Sequence, residues 1–162
     1  MRLRFLLIMT AFSLGAAAQR IQMNDLFNML DWTQVQIDTT LKKEGYILMQ
    51  KDVDSLSSIY QYSHLERPEG KPAVVRSFVF MDVKSGDNTT RLVNYRTYSQ
   101  EEYVDIARWL LENAYQTKNK FDLGNEQHTE YSNGKETLRM KIIKTKIDEG
   151  KEFTSYEVEI GK

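Results

Sequence analysis

Apolar residues recur along this chain with two different periods, and the points where the period changes divide it into elements. At three- and four-residue spacing stand Tyr103, Ile106, Leu110 and Ala114, widened by Trp109 and Leu111, and Ser99 with Glu102 three residues later forms a capping box in front of them. This spacing predicts an amphipathic helix. An earlier helical segment is weaker. Asn24 caps a short turn bearing Leu26, Phe27 and Leu30, and Asp31 with Gln34 reads as the cap of a helix over residues 32–44, ending at Gly45.

Between and after these segments the period becomes two. Residues 46–50, 56–65, 73–84 and 90–98 are rich in Val, Ile, Phe, Tyr and Thr and predict an antiparallel meander. After the second helix come segments 121–131, 137–147 and 153–160, separated by Ser132-Asn133-Gly134-Lys135 and Asp148-Glu149-Gly150-Lys151. Asn-Gly is a strong hairpin signal. The expected order is helix, three or four strands, helix, three strands. That predicts an α+β fold of two tandem helix-plus-antiparallel-sheet units, about 24–98 and 99–162, with the helices packed on one face of the sheet. Lys43-Glu44-Gly45-Tyr46 and Lys118-Asn119-Lys120-Phe121 both read as a helix end entering a strand on an aromatic. No long linker separates the halves, so residues 19–162 are expected to form one compact domain.

The first residues have a different pattern. Arg2 and Arg4 precede an apolar run from Phe5 to Leu14, which gives way to Gly15-Ala16-Ala17-Ala18. This is the pattern of a secretory signal peptide over residues 1–18, with Ala16 and Ala18 in the small-residue positions and cleavage expected between Ala18 and Gln19. The run is too short to span a bilayer. A periplasmic or secreted protein without a transmembrane anchor is expected.

Such proteins are allowed disulfides, yet this chain has no cysteine among its 162 residues. Its stability must come from burial and hydrogen bonding. With 22 Lys and Arg against 23 Asp and Glu, the balance argues against nucleic acid as a partner.

A signal peptide ending Ala-x-Ala-Gln, a helix pair closing on Lys42-Lys43-Glu44-Gly45-Tyr46, Tyr-rich strands and a second helix-plus-hairpin unit resemble a group of small secreted proteins of Gram-negative bacteria. The tandem order is also similar to the architecture of the beta-lactamase inhibitory proteins. The resemblance implies an architecture only, because that family's disulfides have no counterpart here and no functional residue carries over.

Candidate chemistry is sparse. The sequence has no phosphate-binding glycine loop, no Gly-x-Ser-x-Gly elbow and no His-Glu-x-x-His motif. The two histidines, His64 and His128, read as unrelated surface residues. No catalytic, cofactor-binding or metal-ligating residue is assigned. Arg139 and Lys141 are expected to be neutralised by Glu157 and Glu159 on the next strand. Asn88-Thr89-Thr90 and Asp54-Ser55-Leu56 match short glycosylation acceptor patterns.

Tyr60, Tyr62, Phe78 and Tyr95, with Arg76, fall on neighbouring strands in a register that can place them together, and Tyr and Arg are enriched where proteins meet. They define the expected partner-binding face. Val75, Val79, Met81 and Val83 would then lie on the other side. The functional expectation is a non-enzymatic module that binds an extracytoplasmic protein or envelope component. A small-ligand-binding protein and an envelope hydrolase are the alternatives.

Overall fold

The computed structural model describes residues 22–67, 70, 73–146 and 150–162, so the expected signal peptide and cleavage site lie outside the described residues. Along the chain run α1 (Met23–Asn28), α2 (Gln34–Lys43), β1 (Ile47–Val53), β2 (Ser57–Glu66), β3 (Val74–Ser85), β4 (Asn88–Thr97), α3 (Gln100–Glu112), β5 (Gln116–Leu123), β6 (Glu126–Ser132), β7 (Thr137–Lys146) and β8 (Glu152–Gly161). The strands form one eight-stranded sheet in the order β1-β2-β3-β4-β8-β7-β6-β5. Every pairing is antiparallel. The chain is therefore α+β. No helix among the described residues is long and apolar enough to cross a membrane.

The boundaries of α2 and α3 follow local chemistry, whereas α1 starts after Gln22 without a side-chain cap and holds Asn24, the expected cap, inside it. Helix α2 begins two residues later than expected because Thr33, not Asp31, is its cap. The Gln36 backbone N–H donates to Thr33 Oγ1 at 3.3 Å, and the Thr33 N–H donates to Gln36 Oε1 at 2.8 Å, which closes the capping box. In α3 the expected cap is Ser99, whose hydroxyl accepts from the Glu102 N–H. The Glu102 side chain does not complete the box; it is committed to Arg76 and Tyr95.

Helices α2 and α3 end alike. At the first, Gly45 has φ +83° and the Tyr46 N–H reaches back to the Leu41 carbonyl at 2.9 Å; at the second, Ala114 has φ +62° and the Tyr115 N–H reaches Leu110 at 3.0 Å. Both are left-handed helix stops followed by a buried tyrosine. The segment matching Lys43-Glu44-Gly45-Tyr46 is thus Glu112-Asn113-Ala114-Tyr115. Lys118 to Phe121, the expected counterpart, lies inside β5.

That strand is the main departure from expectation. Segment 121–131 is two strands, β5 and β6, folded back at Gly124, which has φ +62°. The second half therefore has four strands. β5 is exposed throughout and sits at the sheet edge, so it carries no buried alternation that would mark it in the sequence. The first-half edge strand, β1, is also mostly exposed. Each edge strand carries a register shift near its start, between Leu48 and Gln50 in β1 and between Thr117 and Asn119 in β5.

Directly opposed residues of antiparallel strands point to the same side, so the register sorts the sheet into two sets. One runs Tyr62, Phe78, Tyr95, Val158, Met140, and beside it Phe80, Val93, Ile160, Leu138; all are at most 3% exposed. This set is the core. Helix side chains meet it directly. Gln34 donates to the Tyr62 hydroxyl at 2.9 Å, that hydroxyl lies 3.3 Å from Asp38, and the rings of Tyr103 and Tyr156 are 4.9 Å apart. Arg91 ties the link between α1 and α2 to β4, donating to the carbonyls of Leu30 and Trp32 while paired with Asp82.

Candidate functional site

The structure brings the expected binding residues together and buries most of them. Tyr62 and Phe78 have no exposed surface, Tyr95 is 3% exposed and Arg76 4%, and Tyr60 packs half-buried against the same cluster. The expectation of an accessible aromatic face is therefore corrected. These aromatics are core because their strands turn them towards Ile37, Leu41 and Leu110 of the helices, where each large ring removes the most apolar area from water.

Arg76 is the centre of a buried polar network. Its Nε and Nη2 bond Glu102 Oε1, its Nη1 donates to Glu66 at 2.6 Å, and the Tyr95 hydroxyl donates to Glu102 Oε2 at 2.9 Å. Burial is the largest influence on Glu102 and would raise its pKa, but hydrogen bonds from Arg76, Thr97 and Tyr95 together with the Arg76 charge outweigh it and hold the carboxyl below its ordinary value. Burial pushes the Tyr95 phenol well above its usual range and the Tyr62 phenol up to about 12. His64 opposes Arg76 in the register, and its Nδ1 lies 3.2 Å from the Glu44 carbonyl. Burial, then the Arg76 charge, lowers its pKa. The network neutralises a charge brought into the core by β3, and its members hold one another.

Next to this network, Met23, Tyr95, Glu102, Asp105, Ile106 and Trp109 line a cleft of about 240 Å³ between α1, α3 and β4. Trp109 stacks on Phe27 with ring centres 6.0 Å apart, and Phe27 in turn lies 6.0 Å from Tyr115. Trp109 and Ile106, expected to be buried on the apolar stripe of α3, are partly buried against the core, while Leu110 is completely buried.

The second register set forms the other side of the sheet. Ile59, Val75, Val79, Met81 and Leu92 are half-buried on β2, β3 and β4, with Leu65 and Val83 more exposed, at 50% and 38%. Across β4, β8, β7 and β6 run charges in register. Arg96 bonds Glu157 at 2.5 Å; Lys141 pairs with Glu159 at 2.8 Å and Glu157 at 3.7 Å; Arg139 pairs with Glu130 at 2.9 Å and Glu159 at 3.6 Å. The sequence-expected pairing of β7 with β8 is present, and Arg96 and Glu130 extend it to both sides. Beyond this ladder, Phe121 on the edge strand is 37% exposed and Leu123 65%.

His128 belongs to this side and, contrary to the surface expectation, is only 5% exposed. It is covered by the Phe121 ring at 4.8 Å, and its Nε2 lies 2.9 Å from Glu126 Oε2. The two histidines thus lie on opposite sides of the sheet. Among the described residues no group of three or more His, Cys, Asp or Glu could hold a metal ion. Asp54 to Leu56 and Asn88 to Thr90, the two acceptor patterns, are exposed at hairpin turns or strand starts.

Set against protein-family models, curated proteins and solved structures, the chain has no significant match in any of the three comparisons.

Proposed function

We propose that this protein is an extracytoplasmic, non-enzymatic binding module, and that its partner lies on the side of the sheet turned away from the helices. The observation that carries the proposal is the difference between the two register sets. One is sealed at a few per cent exposure, while the other leaves Leu65, Val83, Phe121 and Leu123 at least a third exposed beside a charged ladder. Extended apolar surface flanked by polar residues marks interaction sites in soluble proteins.

The architecture supporting this reading is a tandem repeat with helices on one face. The two halves share a left-handed helix stop, a buried tyrosine after it, an edge strand with an early register shift, and a four-stranded meander. Their last strands, β4 and β8, pair at the centre. A repeat arranged this way doubles the width of a single-faced sheet and so the platform available to a partner. The secretory pattern of residues 1–18 supports an extracytoplasmic setting.

The test is capture of interacting proteins by residues 19–162 and by Val79→Lys and Leu92→Asp variants, with folding checked by circular dichroism. Loss of capture in folded variants is the expected result. Unchanged capture in both would overturn the reading. The cleft beside Trp109 favours a second reading, small-ligand binding between helix and sheet. A saturable change in Trp109 fluorescence with an apolar ligand would support that reading.

A further inference from the structure

The charges on the outer side of the sheet are sorted by strand. β4 carries Arg96, β8 carries Glu159 with Glu157 buried beside it, β7 carries Arg139 and Lys141, and β6 carries Glu126 and Glu130. In sheet order the sign alternates strand by strand: positive, negative, positive, negative. Apolar strands flank the block, with Val75, Val79 and Met81 of β3 on one side and Phe121 and Leu123 of β5 on the other. The seam between β8 and β7 is the centre of this pattern. Strands equally far from it carry opposite charge, or are both apolar.

A surface with that property is complementary to itself after a half-turn about an axis running along the seam. β8 then faces the partner's β7, β4 faces its β6, and β3 faces its β5. Every negative strand meets a positive one, and both apolar strands meet apolar ones. Resting on the binding-module reading, we propose that the partner is a second copy of this chain, docked sheet to sheet about that axis.

The charge pattern selects this occupant over others. A partner of one net sign would gain at one strand what it loses at the next, about 4.8 Å away. Size is compatible as well. Six strands about 4.8 Å apart and about 26 Å long offer on the order of 700 Å² per copy, close to the ~800 Å² per partner of a standard interface. Facing sheets cross at about 30°, so the pairs nearest the seam weigh most. Arg139 and Glu159 are the residues to test, with side chains 38% and 23% exposed.

Sedimentation equilibrium of residues 19–162 is the measurement, applied to the wild type, Arg139→Glu, Glu159→Arg, an equimolar mixture of the two, and Val79→Lys. The wild type is expected to be a dimer. Each single variant should dimerise at least roughly tenfold more weakly. Mixing the two charge-swapped variants should restore dimers, because each variant's altered strand then faces its opposite sign. Val79→Lys, outside the ladder, should weaken the dimer without that rescue. A monomeric wild type would overturn the proposal, as would variants that all dimerise like it. If the wild type is monomeric and Val79→Lys still abolishes capture of another protein, the binding-module reading survives; if capture is untouched too, both fall.

Discussion

At the scale of single residues, the tension in this protein lies where charge has been taken into the core. Arg76 is held at 4% exposure only because Glu102 and Glu66 surround it. Replacing Arg76 with Met should cost about 3–5 kcal/mol, since Glu102 would be left buried without its counter-charge. Urea unfolding measures that cost. Tyr95→Glu should cost about 3 kcal/mol or more for the same reason, by placing a second carboxylate against Glu102. Stability should also fall on acidification. The folded-state pKa of His64 lies below its ordinary 6.5, so the folded protein binds fewer protons there and loses stability as pH falls from 6.5 towards that lower value. The depressed Glu102 carboxyl extends the loss from 4.5 downward. Melting temperatures should decline as pH falls below 6.5 and again as it falls below 4.5, and His64→Phe should flatten only the upper part of the curve.

At the scale of elements, the informative positions are the two helix stops. Gly45 and Ala114 occupy the same left-handed conformation, but only glycine does so without steric cost. Gly45→Ala should destabilise by about 1 kcal/mol or more, because a Cβ there would also sit 3.2 Å from His64 Cε1. Ala114→Gly should instead stabilise, by on the order of 0.5–1 kcal/mol once the added freedom of the unfolded chain is counted. Thermal melts of the two variants should move in opposite directions. Trp109→Ala tests how α1 is held to α3: removing the ring that stacks on Phe27 should cost about 2–3 kcal/mol, less than a fully buried Trp because Trp109 is only partly buried.

For the molecule as a whole, the sheet is continuous through β4 and β8, so neither half should stand alone. Separated there, each fragment would expose a strand edge ten residues long in β4 or β8. Residues 19–98 or 99–162 expressed separately should aggregate or remain largely unfolded. Expressed together, they should reassemble with a circular dichroism spectrum like that of the intact chain. Two independently folded monomeric halves would contradict the single-sheet arrangement.

The order of elements apart from β5, the capping at Ser99, the left-handed stop at Gly45 and the charge pairing between β7 and β8 were legible in the sequence, because each depends on residues close together or on one strand facing the next. The common register of Tyr62, Phe78 and Tyr95 was legible too, since alternation fixes which strand residues share a side. Which side is covered was not. Both sides of β3 are apolar, and only the clustering of Phe78 and Phe80 with residues such as Ile37, Leu41 and Leu110 makes one of them core while Val79 and Met81 stay half-buried. The edge strand β5 was hidden because its residues bury nothing, and the match between Gly45 and Ala114 because alanine gives no sign of a positive φ. Local chemistry determined the elements and their internal pairing; tertiary packing decided which of two plausible faces is surface, because burial depends on what lies across the sheet and not on the strand's own pattern.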